Sequence, residues 1–436
     1  LDIQAAIVET EELSGFDADK EGLTRKELPI YDTSLSTVIL EKIRNARRPL
    51  IFAGTGIRLG NARDEFLALV EKLQIPVVTA WNAHDVLPTD SPFFCGKPGT
   101  VGTRSGNFLV MNCDLLLVLG SRLNIRLISY NYKDFAKDAY KIIVDIDENE
   151  LRKPTVQPDL AVHANVKDVM MDLLKIPYDK DNAAHKRWLD WAVKLNKKYP
   201  AVLEEYGKVN CPMNPYAFLD LFFREASENE VMVCGNGSAC VMTFQACRIK
   251  EGQRLFTNSG CAAMGYGFPA AIGAAVARKG EQVVCIDGDG SFQMNLQELQ
   301  TVVYNHLNIK IIYLNNDGYH SIRQTQTNLF KGEPLVGVCE GNGISFPDME
   351  KIAYAYGIPY VRIDHLEKAS EQLKGALYQE GPMIIEAVLD PEQNFEPKLS
   401  SKVLPDGRIV SPALDDMFPF LPPKEYEEIH RSCREL

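Results

Sequence analysis

The sequence predicts an α/β fold built from two doubly wound parallel-sheet domains in series. Three observations predict it. Short apolar runs alternate with stretches of helical spacing over about 34–174, and again from about 214 onward. Runs such as Leu115–Leu119 and Ile309–Leu314 are apolar at nearly every position, as expected of strands buried on both faces. Several runs also end in glycine-rich polar turns: Gly54-Thr-Gly56, Gly235-Asn-Gly-Ser238 and Gly288-Asp-Gly-Ser291. Ligands of open α/β sheets collect outside such carboxyl ends.

Taken in order, residues 1–34 are polar and aperiodic and read as a linker. Residues 35–176 form the first domain. Pro49–Ala53, Pro76–Ala80, Asp114–Leu119 and Tyr140–Asp145 are its strands, and Ala62–Leu73 is an amphipathic helix. Gly54-x-Gly56-x₃-Gly60 misses the dinucleotide fingerprint because Leu59 stands in the third glycine's place, so a plain βα turn is preferred. Residues 177–210 form a connecting segment whose amphipathic stretch Arg187–Leu195 carries Trp188 and Trp191, read as packing anchors.

The second domain spans 211–396. Asn214 caps a helix with Pro215 at its first position, running to Ala226. Strands follow at Val231–Cys234, Gln282–Ile286, Ile309–Leu314, Tyr360–Ile363 and Pro382–Leu389. A helix of small residues begins after Asn258–Met264. Apolar residues at 296, 299, 302 and 303 predict a helix over Asn295–Tyr304, and another covers Met349–Tyr356. Residues 397–436 are rich in proline and read as a tail.

Composition narrows the classes of function. A net charge of −12 argues against nucleic acid or anionic membrane as partner. The ten cysteines show no C-x₂-C pair, and several sit inside apolar runs, which favours buried free thiols in a reducing compartment, hence the cytoplasm. No run approaches the ~20 apolar residues that span a bilayer.

The chemistry concentrates in Ile286–Gln326. Asp289 offers a carboxylate at one strand end, and Asn316 an amide oxygen at the next. Both are hard ligands of the kind Mg²⁺ takes alongside diphosphate oxygens. Their separation, 316 − 289 = 27 residues, allows one turn, one helix and one strand, so they can meet. Gly290 and Ser291 open the intervening helix, where backbone N–H groups favour an anion. A lone Gly-Asp-Gly would read as an ordinary turn; the Asn315-Asn316 pair carries it further.

Gly288-Asp-Gly-Ser291 followed by Asn315-Asn316 resembles the metal–diphosphate motif of thiamine diphosphate (ThDP) enzymes. The surrounding text is most similar to the acetolactate synthase, pyruvate oxidase and benzoylformate decarboxylase group, over nearly the whole chain. The resemblance implies a Rossmann-like central domain at 35–176 and a ThDP diphosphate-binding domain at 211–396. It implies Mg²⁺ held by Asp289, Asn316 and the Gly318 carbonyl. Contacts to ThDP would come from Gly235, Asn236, Gly237, Ser238, Gly288, Gly290, Ser291, Asn316 and Tyr319, with Met264 wedged under the cofactor rings to bend them. Gly120-Ser-Arg122-Leu-Asn124 and Asp145-Ile-Asp147 resemble segments near the adenine nucleotide of flavin-containing relatives, which makes FAD a candidate for the central domain.

His320, Ser321, Arg323 and Gln324 lie just past the metal loop, where substrate would sit. Arg323 could pair with a keto-acid carboxylate, or equally cap a helix or face solvent. The implied activity is decarboxylation of a 2-keto acid such as pyruvate and transfer of the acyl carbanion to a carbonyl acceptor. The text after Asn316 departs from that of the synthases. A simple 2-keto-acid decarboxylase, or an enzyme acting on a nucleotide-sugar ketone, is therefore the alternative. A nicotinamide dehydrogenase and a non-catalytic subunit are the readings from other classes. The family's catalytic glutamate sits in an N-terminal pyrimidine-binding domain, usually of a neighbouring subunit. The chain, which has no starting methionine, is accordingly expected to be a fragment of a longer protein, or else the large part of a split enzyme. It is expected to be inactive alone and to work in a homo-oligomer, at least a dimer, with the tail packing across the active site or lying on the surface.

Overall fold

The computed structural model describes residues 29–330, 335–403 and 408–436, so most of the expected N-terminal linker lies outside the described residues. Two parallel sheets follow one another along the chain. The first has five strands, β1 (Pro49–Ala53), β2 (Val77–Thr79), β3 (Leu115–Leu119), β4 (Tyr140–Asp145) and β5 (Leu160–His163), in the order β2-β1-β3-β4-β5. Every residue of β1 and β3 is buried, which is why both read as unbroken apolar runs. Ile51 of β1 stands opposite Val77 on one side and Leu117 on the other.

The second sheet has six strands, β6 (Val231–Cys234), β7 (Arg254–Phe256), β8 (Val283–Gly288), β9 (Ile309–Asn315), β10 (Tyr360–Ile363) and β11 (Met383–Val388). Their order is β10-β11-β9-β8-β6-β7. In both sheets the strand order reverses beside the first strand: between β1 and β3, and between β6 and β8. These are topological switch points, where adjacent connections leave on opposite faces and open a crevice.

Two elements, the helix over Asn295–Tyr304 and the tail, depart from the expectation, while the connecting segment keeps to its expected helical character. The helix expected over Asn295–Tyr304 is broken: a 3₁₀ segment Gln293–Glu298 precedes an α-helix Leu299–Tyr304. The break falls at Asn295 (φ −137°), whose Nδ2 donates to the Gly265 carbonyl at 2.7 Å and leaves the helical path to do so. The connecting segment folds into a helix, Ala183–Lys198, that joins the first core. Trp188 is fully buried there, donates to the Pro49 carbonyl at 2.9 Å and stacks on Trp191. The tail carries a short antiparallel pair, Lys402–Val403 with Ile409–Val410, and a helix, Pro423–Arg434. Ile429 and Cys433, four residues apart, bury one face of that helix against the first domain.

The segment after β2 joins the two domains. Asp85, buried, accepts from Arg254 Nη1 at 2.8 Å and from the Leu255 N–H at 3.1 Å. Arg63 pairs with Glu251 at 2.8 Å, and Thr89 exchanges two hydrogen bonds with Ile249.

Candidate cofactor site

The carboxyl ends of β6, β8 and β9 bring the expected residues together at the switch point of the second sheet. Asp289 follows directly on β8 and is 2 % exposed. Its Oδ1 accepts from the Gly290 N–H at 2.7 Å, and its Oδ2 from the N–H groups of Asn316 (3.1 Å) and Gly318 (3.0 Å). The carboxylate thus ties the end of β8 to the loop after β9. Burial pushes its pKa up to about 6 despite those three donors, and no basic side chain among the described residues pairs with it. A buried carboxylate without a cation is electrostatically incomplete.

Asn316 is buried beside it. Its Nδ2 donates to Ser238 Oγ at 3.3 Å, and no donor among the described residues reaches its Oδ1. Gly318 has φ +128°, and a Cβ there would stand 1.9 Å from the Val338 carbonyl oxygen, so only glycine fits. Its own carbonyl accepts from the His320 N–H at 3.0 Å and keeps a second lone pair. Among the described residues no three His, Cys, Asp or Glu side chains converge on a metal position. A cation at Asp289 and Asn316 would therefore draw further oxygens from a bound anion, which is what Mg²⁺ does with phosphates.

Places for an anion surround this pair. The helix Gly237–Ala246 leaves β6 with no side-chain cap, so its first-turn N–H groups are open. Its capping residue, Asn236, is turned to other work. Nδ2 donates to the Ala262 carbonyl at 3.0 Å, and Oδ1 accepts from Ser291 Oγ at 2.9 Å. Ser291 Oγ in turn accepts from the Gly265 N–H at 3.0 Å. Gly235 packs on the Asp287 carboxylate, and a Cβ there would meet Oδ1 at 1.9 Å. Gly288 forms the junction between β8 and the turn, and Gly290 lies under the Tyr319 ring, where a Cβ would meet Cε1 at 2.2 Å.

Met264 stands beside this network, next to Gly265, which is pinned by Ser291 on its N–H and by Asn295 on its carbonyl. A core methionine would be buried, but Met264 is 40 % exposed on a fixed backbone, as a cofactor-facing side chain would be. The residues expected on the substrate side divide. His320 and Gln324 are buried; Gln324 Nε2 donates to His320 Nε2 at 2.5 Å, and burial pulls the His320 pKa down to about 4. Arg323 donates to the Asp317 carbonyl at 3.0 Å and to Glu392 at 3.3 Å, and so braces the loop after β9. Ser321 is exposed on the same helix, its Oγ 3.6 Å from where a Cβ on Gly237 would stand.

Several participants gave no sequence signal. Asn82, past β2 in the first domain, accepts at Oδ1 from the Thr257 N–H, and Thr257 Oγ1 donates to the Gly235 carbonyl. Lys398 of the tail donates to Gln324 Oε1 at 3.3 Å. Asp287 is fully buried with Oδ2 unpartnered, and burial lifts its pKa to about 7. Its place two residues before Asp289 was the one visible hint.

Comparison with known proteins agrees with this geometry. Residues 37–173 match the family described as "Thiamine pyrophosphate enzyme, central domain", and residues 235–387 match "Thiamine pyrophosphate enzyme, C-terminal TPP binding domain". The chain is 29 % identical to the acetolactate synthase large subunit of Cyanidium caldarium over 85 % of its own length and 63 % of that protein's. It is 31 % identical to the acetolactate synthase isozyme 1 large subunit of Escherichia coli K12, over 81 % of the chain and 61 % of the relative. With the probable acetolactate synthase large subunit of Methanocaldococcus jannaschii the identity is 30 %, over 85 % and 61 %. The chain thus spans less than two thirds of each of these relatives.

Proposed function

The chain belongs to the thiamine pyrophosphate enzyme family, and on that premise we propose that it serves a ThDP- and Mg²⁺-dependent carboligase of the acetolactate synthase kind. Such an enzyme decarboxylates a 2-keto acid, pyruvate being the first to test, and joins the acyl unit to a carbonyl acceptor. The observation that carries the reading is Asp289, a buried carboxylate at the switch point with three backbone donors and no basic side chain paired with it among the described residues. Bound ThDP would supply the nucleophilic carbon and the electron sink on which keto-acid decarboxylation depends.

The chain's own residues hold and orient. Asp289, Asn316 and the Gly318 carbonyl would hold Mg²⁺. The open N–H groups at Gly237–Ser238 and at Gly290–Ser291 would take the diphosphate oxygens, with Tyr319 covering the Gly290 turn. Met264 would fill the space beneath the rings and fix their bend, and Ser321 would face the substrate. His320 and Gln324 support that helix from its buried side, and Arg323 fixes the loop that presents Asn316 and Gly318.

We further propose that the central domain holds no flavin. Gly54 and Gly56 pack directly on the Gly120 backbone at its switch point, Arg122 is held by Glu150 at 2.6 Å, and Asp147 caps the helix Glu148–Arg152. The groups that would meet an adenine nucleotide are thus engaged within the protein. The pyrimidine side of the cofactor, with its glutamate, is assigned to an α/β domain of a longer chain or a partner subunit, in an oligomer of at least two copies. Among the described residues no helix is long and apolar enough to cross a membrane. Eight of the ten cysteines are buried free thiols, which supports a reducing compartment such as the cytoplasm.

The test is product analysis of the complete gene product with pyruvate, ThDP and Mg²⁺. Acetolactate is the expected product. Acetaldehyde alone would replace the carboligase reading with simple decarboxylation, and no turnover of any 2-keto acid would sink both.

A further inference from the structure

The helix that opens at the proposed diphosphate site ends on a buried cation from the other domain. Lys97 belongs to the segment after β2 and is 5 % exposed, yet it pairs with no carboxylate among the described residues. Its Nζ instead donates to three backbone carbonyls, those of Phe244 (3.0 Å), Gln245 (3.1 Å) and Cys247 (2.9 Å), with Cys247 Sγ at 3.0 Å. These carbonyls close the last turn of Gly237–Ala246, where a helix leaves acceptors unsatisfied and its dipole is negative. An ammonium has three N–H bonds, and here each has a carbonyl.

Taking a lone charge out of water costs several kcal/mol, so this arrangement is more than filler. A methionine would fill the same space but leave the carbonyls of Gln245 and Cys247 without a donor among the described residues, and that of Phe244 with only the Cys247 thiol at 3.3 Å. The lysine is also held firmly. Its own N–H donates to Thr103 Oγ1 at 2.9 Å, and its carbonyl accepts from the Thr103 N–H at 2.7 Å. The same segment grips the helix elsewhere. Trp81 stacks on Phe244 with ring centres 5.0 Å apart, and Asn82 reaches Gly235, just before the helix, through Thr257. One loop of the central domain therefore grips the last turn of this helix directly and reaches the residue before its uncapped start, Gly235, through Thr257.

We infer that Lys97 is a positioning residue for cofactor binding: a cationic cap through which the central domain fixes where the first-turn N–H groups of Gly237–Ala246 stand. The inference rests on the ThDP reading of that turn. It gives the central domain a task at the site that needs no nucleotide of its own. Lys97 touches neither cofactor nor substrate; it acts through the helix, about ten residues or ~15 Å long.

The experiment uses the complete gene product and measures ThDP affinity at saturating Mg²⁺ by tryptophan fluorescence, for wild type, Lys97→Met and Lys97→Ala. Both variants should bind ThDP more weakly, on the order of 10- to 100-fold, the range in which supporting partners tune a metal site. Adding n-propylammonium should recover most of the loss in Lys97→Ala, while n-propanol, of the same shape without charge, should not. Unchanged affinity in the variants would overturn the inference. So would equal recovery by the alcohol, since packing alone would then explain the effect. If Lys97→Met or Lys97→Ala does not fold, Lys97→Gln keeps two donors, one atom short of the ammonium, without the charge; wild-type affinity in that variant would likewise overturn it. A wild-type protein that binds no ThDP would refute the cofactor reading itself, and the inference with it.

Discussion

Replacing Asp289 with asparagine should separate stability from function in a way that depends on pH. In the folded protein the carboxyl pKa is raised from 3.8 to about 6, first because it is buried. A raised carboxyl pKa means that the fold binds the proton more tightly than the unfolded chain does. The associated stability is therefore fully present below pH 3.8 and is lost as pH rises through about 6. Two units at 1.36 kcal/mol each make the cation-free fold roughly 3 kcal/mol less stable at pH 8 than with a neutral group at this place. Asparagine is neutral and nearly isosteric, but its NH₂ would face a backbone N–H that the carboxylate now accepts, at a cost of about 1 kcal/mol. In urea titrations without Mg²⁺ or ThDP, Asp289→Asn should therefore be about 2 kcal/mol more stable than wild type at pH 8. Near pH 4, where the wild-type group is protonated, it should have no advantage. The same variant should lose Mg²⁺-dependent ThDP binding. If it were equally destabilised at both pH values, or if it kept cofactor binding, the reasoning about this carboxylate would be wrong.

Met264→Ala should leave the urea midpoint nearly unchanged, within about 0.5 kcal/mol because the side chain is exposed, while turnover falls at least about tenfold; equal loss of both would make Met264 a core residue. Gly318→Ala would place a methyl 1.9 Å from the Val338 carbonyl oxygen at φ +128°, and thermal melting should show destabilisation of about 3 kcal/mol or more. Gly290→Ala drives the Tyr319 ring off the turn and should raise the ThDP dissociation constant with little change in melting temperature, read by calorimetry. Purified protein should show no flavin absorbance in the visible range, and a yellow preparation would return FAD to the central domain.

The parts of the fold that were legible in the sequence were those with internal periodicity. β1 and β3 are apolar throughout, and β8 and β9 at most positions, because they are buried on both faces, and Asn214-Pro215 announces its helix because both capping N–H bonds are local. β7 is only three residues long, Arg254–Phe256, and β5 is largely exposed, so neither has enough pattern to register. The helix Pro423–Arg434 is so charged that its two buried residues, Ile429 and Cys433, hardly stand out. At the site, Asp289 and Asn316 were visible because both lie at the ends of strong strands, and their pairing is set by β8 and β9 being neighbours. Asn82 and Thr257, 175 residues apart, owe their contact to how two domains dock, and no local pattern encodes that. The same holds for Lys97, a lysine in a glycine–proline loop until the helix end it caps comes into view. Sequence proximity alone groups His320 and Gln324 with the substrate, because it cannot distinguish the buried face of a helix from its open one.

On this proposal the crevice between β6 and β8 binds ThDP through a cation held by Asp289 and Asn316. Its most direct test is calorimetric titration of ThDP into the complete gene product, once with Mg²⁺ and once with EDTA. Saturable binding is expected with Mg²⁺ and should disappear with EDTA and in Asp289→Asn. Binding that is indifferent to Mg²⁺, or a protein that takes up NADH and ignores ThDP, would contradict it.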